Sequence, residues 1–565
     1  MSSASTLVST FSPNLSQTLS QTFSPGTAYR AEAVARAERD LTASTDRYMR
    51  HAAHALALAA VRELRDAVGR VAGAGVILLI GGGHNGGDAL LAGAFLAGRG
   101  CAVTAALATD HPHPTAMEAA ERAGVRVAHE PLEACERAAA GGVALVIDGL
   151  TGIGATGPLR SRAAALVAPL RAAGRRGARP FRVVAVDLPS GTGVDDGTVS
   201  GPVLRADLSV TFTCLKGAHL LAPAAGACGR VEVVDLGLPV PAASDALVRR
   251  PDDAGLGRLL RIPDDEDHKY TRGVVGLRSG SRSYPGAAVL AASAAVRCGV
   301  GMVRLSAPRR VEDLVLARRP EVVPASGRCQ ALVIGPGTDP ADPECAAQID
   351  AALGRALEVG RGRSGAPGAA PGPVPAVIDA GALPLLAERL RAGARCSAGH
   401  VLTPHAGEAA ALLSALEGSV TRAEVEAAPA ARARDLVRLT GATVLLKGSP
   451  ALIASARCSD GPPVAADLLS VDSGPGWLAT AGSGDVLAGI LGAVLAAGRA
   501  DEERGGRAVD SSAFTALAVR LHAVAAELAS GCVGPAGRVP GRPLAALDLT
   551  DRLPHACAVV GGWAA

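Results

Sequence analysis

Short, unbroken apolar runs alternate with Ala-rich stretches of helical period along most of the chain. Val76-Ile77-Leu78-Leu79-Ile80 opens a first series, continued at residues 144–147, 183–186 and 207–213. A second series runs through residues 274–277, 331–334, 376–378, 401–402 and 443–446. Runs that are apolar throughout, rather than at every second position, mark strands covered on both faces, as in parallel sheets flanked by helices. Small-residue helices are predicted over 29–68 and 287–298, and the stretch after Asp485 is apolar all round, as in a buried helix. The pattern predicts an α/β protein of two doubly wound domains, since 565 residues exceed what one core holds. Residues 239–267, rich in Pro and Asp with weak periodicity, predict a linker, and 360–375 a Gly/Pro/Arg loop insertion.

In open α/β sheets ligands bind beyond the carboxyl ends of the strands, so the residues closing each run are the candidates for chemistry. The first run passes into Gly81-Gly82-Gly83-His84-Asn85-Gly86-Gly87-Asp88, the second ends at Asp148, the third at Asp187-Leu188-Pro189-Ser190-Gly191 and the fourth near Lys216-Gly217. Asn85, Asp88, Asp148, Asp187 and Ser190 are therefore expected to converge on one crevice. Gly81, Gly83 and Gly86, with Asp110 further on, also fit the dinucleotide fingerprint. Asp88 argues against it, because a carboxylate inside the loop repels a pyrophosphate and better suits a polar substrate or a hard cation. In the second series the runs lead to Gly335-Pro336-Gly337, Asp379, His405 with Glu408, and Lys447-Gly448. The series closes on Thr480-Ala481-Gly482-Ser483-Gly484-Asp485. A glycine loop at a helix N-terminus suits a phosphate. A carboxylate beside it is costly unless it has chemistry to do, such as taking a proton from an attacking hydroxyl. The competing reading is a turn with Asp485 capping a core helix.

Composition narrows the field. A formal charge of +3 and 2% aromatic residues give no basis for binding nucleic acid. The 11 cysteines are scattered without a CxxC pair, which predicts a reducing cytoplasm, and no apolar run reaches the roughly 20 residues of a membrane span. Residues 1–26 are Ser/Thr-rich and predict a disordered extension rather than a secretory signal. His51 and His54 lie one helical turn apart with no third ligand nearby, which predicts packing rather than metal binding. Basic residues are almost all Arg; lysine occurs only at Lys216, Lys269 and Lys447, positions that mark a need for a compact ammonium. There is no Gly-Lys dipeptide for a P-loop and no Gly-x-Ser-x-Gly elbow.

Together these stretches resemble the bifunctional NAD(P)H-hydrate repair enzymes, over nearly the whole chain from about Thr27. Residues 27–246 resemble an NAD(P)H-hydrate epimerase domain of Rossmann-like fold. The resemblance implies that His84, Asn85, Gly86, Gly87, Asp88, the loop of Gly152, Ile153, Gly154, Ala155, Thr156, Gly157 and Pro158, and the catalytic Asp187 hold the hydrate. It assigns Asn85, Asp148 and Ser190 to a K+ ion. Residues 247–565 resemble an ADP-dependent hydrate dehydratase of ribokinase-like fold, matching at His268-Lys269-Tyr270, Tyr284-Pro285-Gly286-Ala287, Gly335-Pro336-Gly337, His405-Ala406-Gly407-Glu408, Lys447-Gly448 and Gly482-Ser483-Gly484-Asp485. There the resemblance implies that Gly286, Ala287, Gly337, His405 and Asp485 face the hydrate, with Asp485 as catalytic base. Lys447, Gly448, Ser449, Pro450, Ala451, Leu452 and Gly484 would hold ADP, which acts with Mg2+. The implied whole is a cytoplasmic homo-oligomer of three-layer α/β/α domains. It would act on NADH and NADPH hydrates, with no nucleic-acid or membrane partner. Four positions depart from the family pattern: His84 replaces an Asn, Ala89 a Gly and Gly381 an Asp, and the 152–158 loop lacks a basic residue. The alternatives are a small-molecule kinase fused to a Rossmann-like domain and a non-catalytic nucleotide sensor.

Overall fold

Because Val76 to Ile80 are apolar at every position, the strand they form can be buried on both faces, and it is: β1 (Gly75–Ile80) has no exposed residue. The computed structural model describes residues 26–42, 46–175, 179–358, 374–456, 467–534 and 537–563. Their contacts divide into two units, Thr27–Arg249 with Glu426–Ala430, and Arg250–Val425 with Ala431–Ala565. The expected N-terminal extension, apart from Gly26, and the expected 360–375 insertion, apart from Val374 and Pro375, lie outside the described residues.

In the first unit β1 pairs in parallel with β2 (Ala102–Leu107) on one side and β4 (Leu145–Gly149) on the other. With β3 (Arg126–Val127), β5 (Arg182–Val186), β6 (Leu208–Phe212) and β7 (Arg230–Val234), the order across the sheet is β3-β2-β1-β4-β5-β6-β7. The chain thus moves outward from β1 in one direction and returns to start outward again from β4. That reversal opens a crevice at the carboxyl ends of β1 and β4. The predicted helical stretch over 29–68 is two helices, α1 (Ala31–Thr42) and α2 (Arg47–Val68), the second stopped by Gly69 at φ 70. Alternate residues of β1 serve opposite layers. Val76, Leu78 and Ile80 pack with α2 and α3 (His84–Gly98), while Ile77 and Leu79 pack with α4 (Ser161–Arg175). His54 lies edge-on to Phe95, ring centroids 4.8 Å apart, a packing role as its spacing predicts.

The second unit contains β8 (Val274–Arg278), β9 (Met302–Leu305), β10 (Ala331–Ile334), β11 (Ala376–Ile378), β12 (His400–Leu402), β13 (Thr443–Leu446), β14 (Ala451–Ser455) and β15 (Asp467–Val471), in the order β9-β8-β10-β11-β12-β13-β14-β15. Pairing is parallel as far as β13 and antiparallel beyond it. The helices that place its site are α5 (Pro285–Arg297), α6 (Ala406–Leu416), α7 (Ser483–Glu503) and α8 (Ser511–Ser530). Helices α7 and α8 are long and apolar enough to cross a bilayer, a feature that a search for unbroken apolar runs misses because Gly interrupts α7, and Thr515, Arg520, His522 and Glu527 interrupt α8. Both are core helices here, with 72% and 78% of their apolar windows buried.

Glycine lets α7 sit that deep. A Cβ at Gly489 would stand 2.2 Å from the Ala291 carbonyl oxygen on α5, and one at Gly492 would stand 2.3 Å from a Val333 methyl on β10. The predicted linker over 239–267 is more ordered than its composition implies, with a strand at Ala246–Arg250 and a helical turn at Asp253–Gly257. The reason is distant in sequence: Arg520, fully buried on α8, donates from Nε to Asp253 Oδ1 at 2.7 Å and from Nη2 to Oδ2 at 3.0 Å.

The close contact at Gly489 is with backbone, which cannot rotate away. Gly489→Ala is therefore expected to lower the unfolding free energy by about 1–3 kcal/mol, as overpacking does. Gly98→Ala, with no atom within 4 Å of the new methyl, should leave stability unchanged or slightly raised. Thermal melts of the two variants side by side check this.

Candidate active sites

The first crevice is assembled by glycines that let loops touch. A Cβ at Gly81 would lie 1.9 Å from the Leu150 carbonyl oxygen, and one at Gly86 2.2 Å from the Gly81 carbonyl oxygen. These glycines of the dinucleotide-like pattern therefore serve loop-to-loop packing, and Asp110 ion-pairs with Arg162 at the surface, 2.7 Å away. Beside them Asp148 is fully buried. Its Oδ1 accepts from Ser190 Oγ at 2.7 Å and from the Leu150 amide at 3.3 Å, and its Oδ2 accepts from the Ser190 amide at 2.9 Å. Ser190 Oγ in turn accepts from the Thr151 amide at 3.0 Å. Asn85 donates to the Thr151 and Val186 carbonyls at 3.0 and 2.8 Å. Burial pushes the Asp148 carboxyl up, against the Ser190 and Leu150 hydrogen bonds that favour its charge. Among the described residues no cationic side chain pairs with it. The donor set at this point is all oxygen and carries a buried, uncompensated carboxylate, which fits a bound monovalent cation.

Asp187 lies at the end of β5 with φ 67, a left-handed conformation that a residue with a Cβ rarely adopts. Strain of this kind persists where surrounding contacts impose it. Here Thr211 Oγ1 donates to Asp187 Oδ1 at 2.6 Å and Lys216 Nζ at 2.8 Å, both from buried side chains. Lys216 Nζ also donates to Thr211 Oγ1 and to the Phe212 carbonyl, at 3.0 and 2.9 Å. His219 Nδ1 accepts from the Lys216 amide at 3.0 Å, so its Nε2–H donates to the Asp187 carbonyl 2.8 Å away. This neutral tautomer agrees with burial driving the imidazole down to about 4. Burial alone would raise the Asp187 carboxyl, but the Lys216 ammonium and the hydrogen bonds from Lys216 and Thr211 hold it below the usual range. Asp88, on α3 just past its first turn, is buried with Oδ1 lacking any hydrogen-bond partner. Burial, then the negative charge of Asp187, pushes its carboxyl well up.

The crevice thus brings together Asn85, Asp88, Asp148, Asp187 and Ser190. His84 is exposed, its ring 6.4 Å from that of His113. In the 152–158 loop Gly152 presses on the crevice, where a Cβ would meet Asn85 Oδ1 at 2.5 Å; Ile153 and Ala155 are half-buried, and Gly154, Thr156, Gly157 and Pro158 are exposed. Gly86 and Gly87 are buried in the first turn of α3. Thr211 and His219 carry no signal in the sequence, whereas Lys216 stands out by the scarcity of lysine.

The second site surrounds the start of α7. Gly482 takes φ 88, and the helix then opens with unpaired amide groups and the positive end of its dipole. Lys447, just past β13, stands next to it: a Cβ on Gly484 would be 3.7 Å from Lys447 Nζ. Lys447 Nζ is 2.9 Å from Asp379 Oδ1 and 3.9 Å from Glu408 Oε2. Burial, then the nearby Asp379 charge, raises the Asp485 carboxyl to about 6 despite Lys447. His405 caps α6, its Nδ1 accepting from the amides of Gly407 and Glu408 at 3.0 and 3.1 Å, while Glu408 Oε2 accepts from the His405 amide at 2.9 Å. The His405 side chain is exposed outside this capping box, and its Nε2 lies 3.5 Å from Glu408 Oε1. Gly337, at φ 64, backs directly onto Ala287, since a Cβ there would lie 2.2 Å from the Ala287 methyl. Gly286 has open space around it, and Gly448 and Ser449 are exposed beside half-buried Pro450. Ala451 and Leu452 are buried in β14, Ala451 opposite Val471 and Leu452 between Leu446 and Ser470 of the neighbouring strands.

Two residues here lie outside the sequence reading. His522, buried on α8, bonds the Ser483 backbone beneath the glycine loop, and its Nε2 has no partner; burial pushes it down to about 4. Thr338 occupies the space where a side chain at Gly381 would begin, its carbonyl and hydroxyl oxygens both 2.6 Å from the ideal Cβ position. The missing carboxylate at 381 is thus a difference in packing and not simply a vacant position.

A doubly wound unit with an oxygen-lined crevice and a second unit with a Gly-Asp helix start define a two-site α/β enzyme class. Residues 45–218 match the family model described as YjeF-related protein N-terminus, and residues 275–536 the model described as NAD(P)H-hydrate dehydratase. The chain is 40% identical over 480 residues to the Bifunctional NAD(P)H-hydrate repair enzyme Nnr of Mycobacterium tuberculosis, covering 83% of this chain and 89% of that protein. It is 39% identical to the enzyme of that name from Mycobacterium leprae, covering 91% of this chain and 96% of that one. The NAD(P)H-hydrate epimerase of Microbacterium testaceum is 41% identical over 41% of this chain and 91% of its own length. The crystal structure of an ADP/ATP-dependent NAD(P)H-hydrate dehydratase from Bacillus subtilis with ATP/Mg2+ is 25% identical, with TM-score 0.40, over 54% of this chain and 95% of that one. This chain belongs to the bifunctional NAD(P)H-hydrate repair enzymes.

The Thr338 contact makes restoring the acid costly. Gly381→Asp is expected to lower stability by about 1–3 kcal/mol, the usual cost of overpacking, and to leave dehydration no faster than in the wild type. Denaturant melts paired with rate assays test it, and a faster, equally stable variant would overturn the packing argument.

Proposed function

We propose that the first unit interconverts the R and S hydrates of NADH and NADPH, and that the second dehydrates the S hydrate with ADP, giving NAD(P)H, AMP and phosphate. Residues 27–246 are assigned to the epimerase and 247–565 to the dehydratase, in line with the two family matches. The observation that carries the reading is Asp485, with its carboxyl raised to about 6, beside Lys447 at the N-terminus of a buried helix. Phosphate oxygens suit the amides at that end and the Lys447 ammonium. Asp485 takes the proton of the hydrate hydroxyl as its oxygen attacks the terminal phosphorus of ADP and AMP departs. The ring nitrogen then expels phosphate from the new ester, and loss of the neighbouring ring proton restores the dihydronicotinamide.

Mg2+ fits here as an ion carried by the nucleotide. Among the described residues no group of three or more His, Cys, Asp or Glu forms a protein cage, and Mg2+ is commonly bound through substrate phosphates. In the first unit Asn85, Asp148 and Ser190 are proposed to hold K+, which would neutralise the buried Asp148 carboxylate and tie the 84–88 loop to β4. The wild-type chain, given mixed hydrates and ADP, should restore the dihydronicotinamide absorbance and release AMP and phosphate. Accumulation of a stable phosphorylated product, or tight nucleotide binding without turnover, would overturn the reading.

Three further outcomes follow from these carboxylates. Asp485→Asn keeps the size and the capping oxygen but removes the proton acceptor. Dehydration should then fall about 10²–10⁴-fold, while ADP binding by calorimetry persists. Because the base must be ionised, the wild-type dehydration rate should decline as pH falls through about 6. Asp148, whose folded carboxyl lies above its ordinary value, destabilises the fold as pH rises and it ionises, unless a cation offsets the charge. At neutral pH, K+ in place of a large organic cation should raise Tm, and Asp148→Asn should abolish that increment.

A further inference from the structure

We propose that Asp88 and Asp187 divide the epimerisation between them, Asp88 as the acid and Asp187 as the base, and that Lys216 is the positioning residue that fixes this division. The proposal rests on the epimerase reading and assigns roles within that site. The two carboxylates come from either side of β4: Asp88 from the helix that follows β1, Asp187 from the end of β5. Among the described residues, both donors to the Asp187 carboxylate, Thr211 Oγ1 and Lys216 Nζ, fall on Oδ1, which leaves Oδ2 to the crevice. Lys216 is itself pinned by the Phe212 carbonyl, and His219 fixes both the Lys216 amide and the Asp187 carbonyl. Asp88 has the opposite surroundings. It is 6% exposed, its Oδ1 has no hydrogen-bond partner, and the charge acting on it, that of Asp187, is negative.

A carboxyl so placed keeps its proton, while its neighbour, held by an ammonium, gives its proton up. Two titratable groups pushed in opposite directions make an acid and a base. The other groups facing the pair are Cys214 and His219 from the segment after β6, and Glu38 from α1, whose Oε1 accepts from Thr213 Oγ1 at 2.9 Å. His219 is neutral in this arrangement, so the Lys216 ammonium is the cation that sets the balance.

The hydroxyl-bearing carbon of the hydrate is bonded to the ring nitrogen, whose lone pair can expel the hydroxyl. Asp88 gives its proton to that oxygen, the C–O bond breaks and water leaves, with the positive charge shared by carbon and nitrogen. A water on the other face then forms a new C–O bond as Asp187 takes its proton. The proton gained by Asp187 returns to Asp88 through water, or the next turnover runs in the opposite sense. No oxidant or reductant is consumed.

The test follows interconversion of purified R and S hydrates without ADP, by chromatography, across pH. The wild-type kcat/KM should be bell-shaped, with an acid limb from Asp187 and an alkaline limb from Asp88. Asp88→Asn should lose about 10²–10⁴-fold in kcat, lose the alkaline limb, and keep KM within a few-fold. Lys216→Met should move the acid limb to higher pH. Folding of each variant is checked by circular dichroism, and the wild-type profile needs no substitution. A wild-type rate that does not fall on the alkaline side overturns the division. So does an Asp88→Asn rate within a few-fold of wild type, or an acid limb that stays in place in Lys216→Met. A wild-type chain that does not interconvert the hydrates at all overturns the epimerase reading itself.

Discussion

A parallel sheet covered on both faces leaves polar side chains one place to stand, the ends of its strands. Within β1, β4 and β5 the positions ahead of the carboxyl end are filled by Val, Ile, Leu and Ala, and a charged group there would lose its water with nothing in return. Ligand-binding chemistry is therefore displaced to the carboxyl ends, where loops and helix N-termini supply donors. Asp148, Asp187, Asp379 and Lys447 all sit at or just past such an end. In the first unit the crevice falls at the reversal between β1 and β4, because two helices that depart in opposite directions cannot close over the same strand ends.

Both units solve the resulting problem of buried charge in the same way. A lysine at a strand end pairs with one aspartate, Lys216 with Asp187 at 2.8 Å and Lys447 with Asp379 at 2.9 Å. A second carboxyl then lies within reach of the first: Asp88 near Asp187, and Asp485 near Asp379. One ammonium neutralises one carboxylate, and the remaining acid is driven up by burial and by its neighbour's charge. Such pairs are poor sources of net stability, yet removing one partner costs about 3–5 kcal/mol because a lone buried charge remains. Their value is that each sets a paired carboxylate beside a second carboxyl that burial drives up, Asp88 in the first unit and Asp485 in the second.

Close packing sets how near these groups can come. Gly81, Gly86 and Gly152 bring three loops into contact around Asn85 and Asp148, and Gly489 and Gly492 let α7 lie against α5 and the sheet, with Asp485 on its first turn. Thr338 shows the same constraint in reverse, filling the volume in which a carboxylate at 381 would start.

The sequence by itself determined β1, β4 to β6, β8 and β10 to β13, because burial on both faces writes an unbroken apolar run that needs no tertiary context to recognise; it missed β2, β3, β7, β9, β14 and β15, which are short or broken by polar residues. It also determined which polar residues close the strands it marked, and through them the two sets of motifs. The scarcity of lysine pointed to Lys216 and Lys447 before either had a partner. Only the tertiary structure decided who those partners are. Thr211 and His219 meet Asp187 from other strands and turns, His522 reaches the glycine loop from a different helix, and Arg520 orders Asp253 from 267 residues away. A Thr in a strand or a His in an apolar helix has no local pattern to set it apart, since its role depends on which distant backbone the fold lays beside it. Protonation is decided at the same level. Asp88 and Asp187 are alike as letters in the chain, and burial together with the position of one ammonium makes one an acid and the other a base.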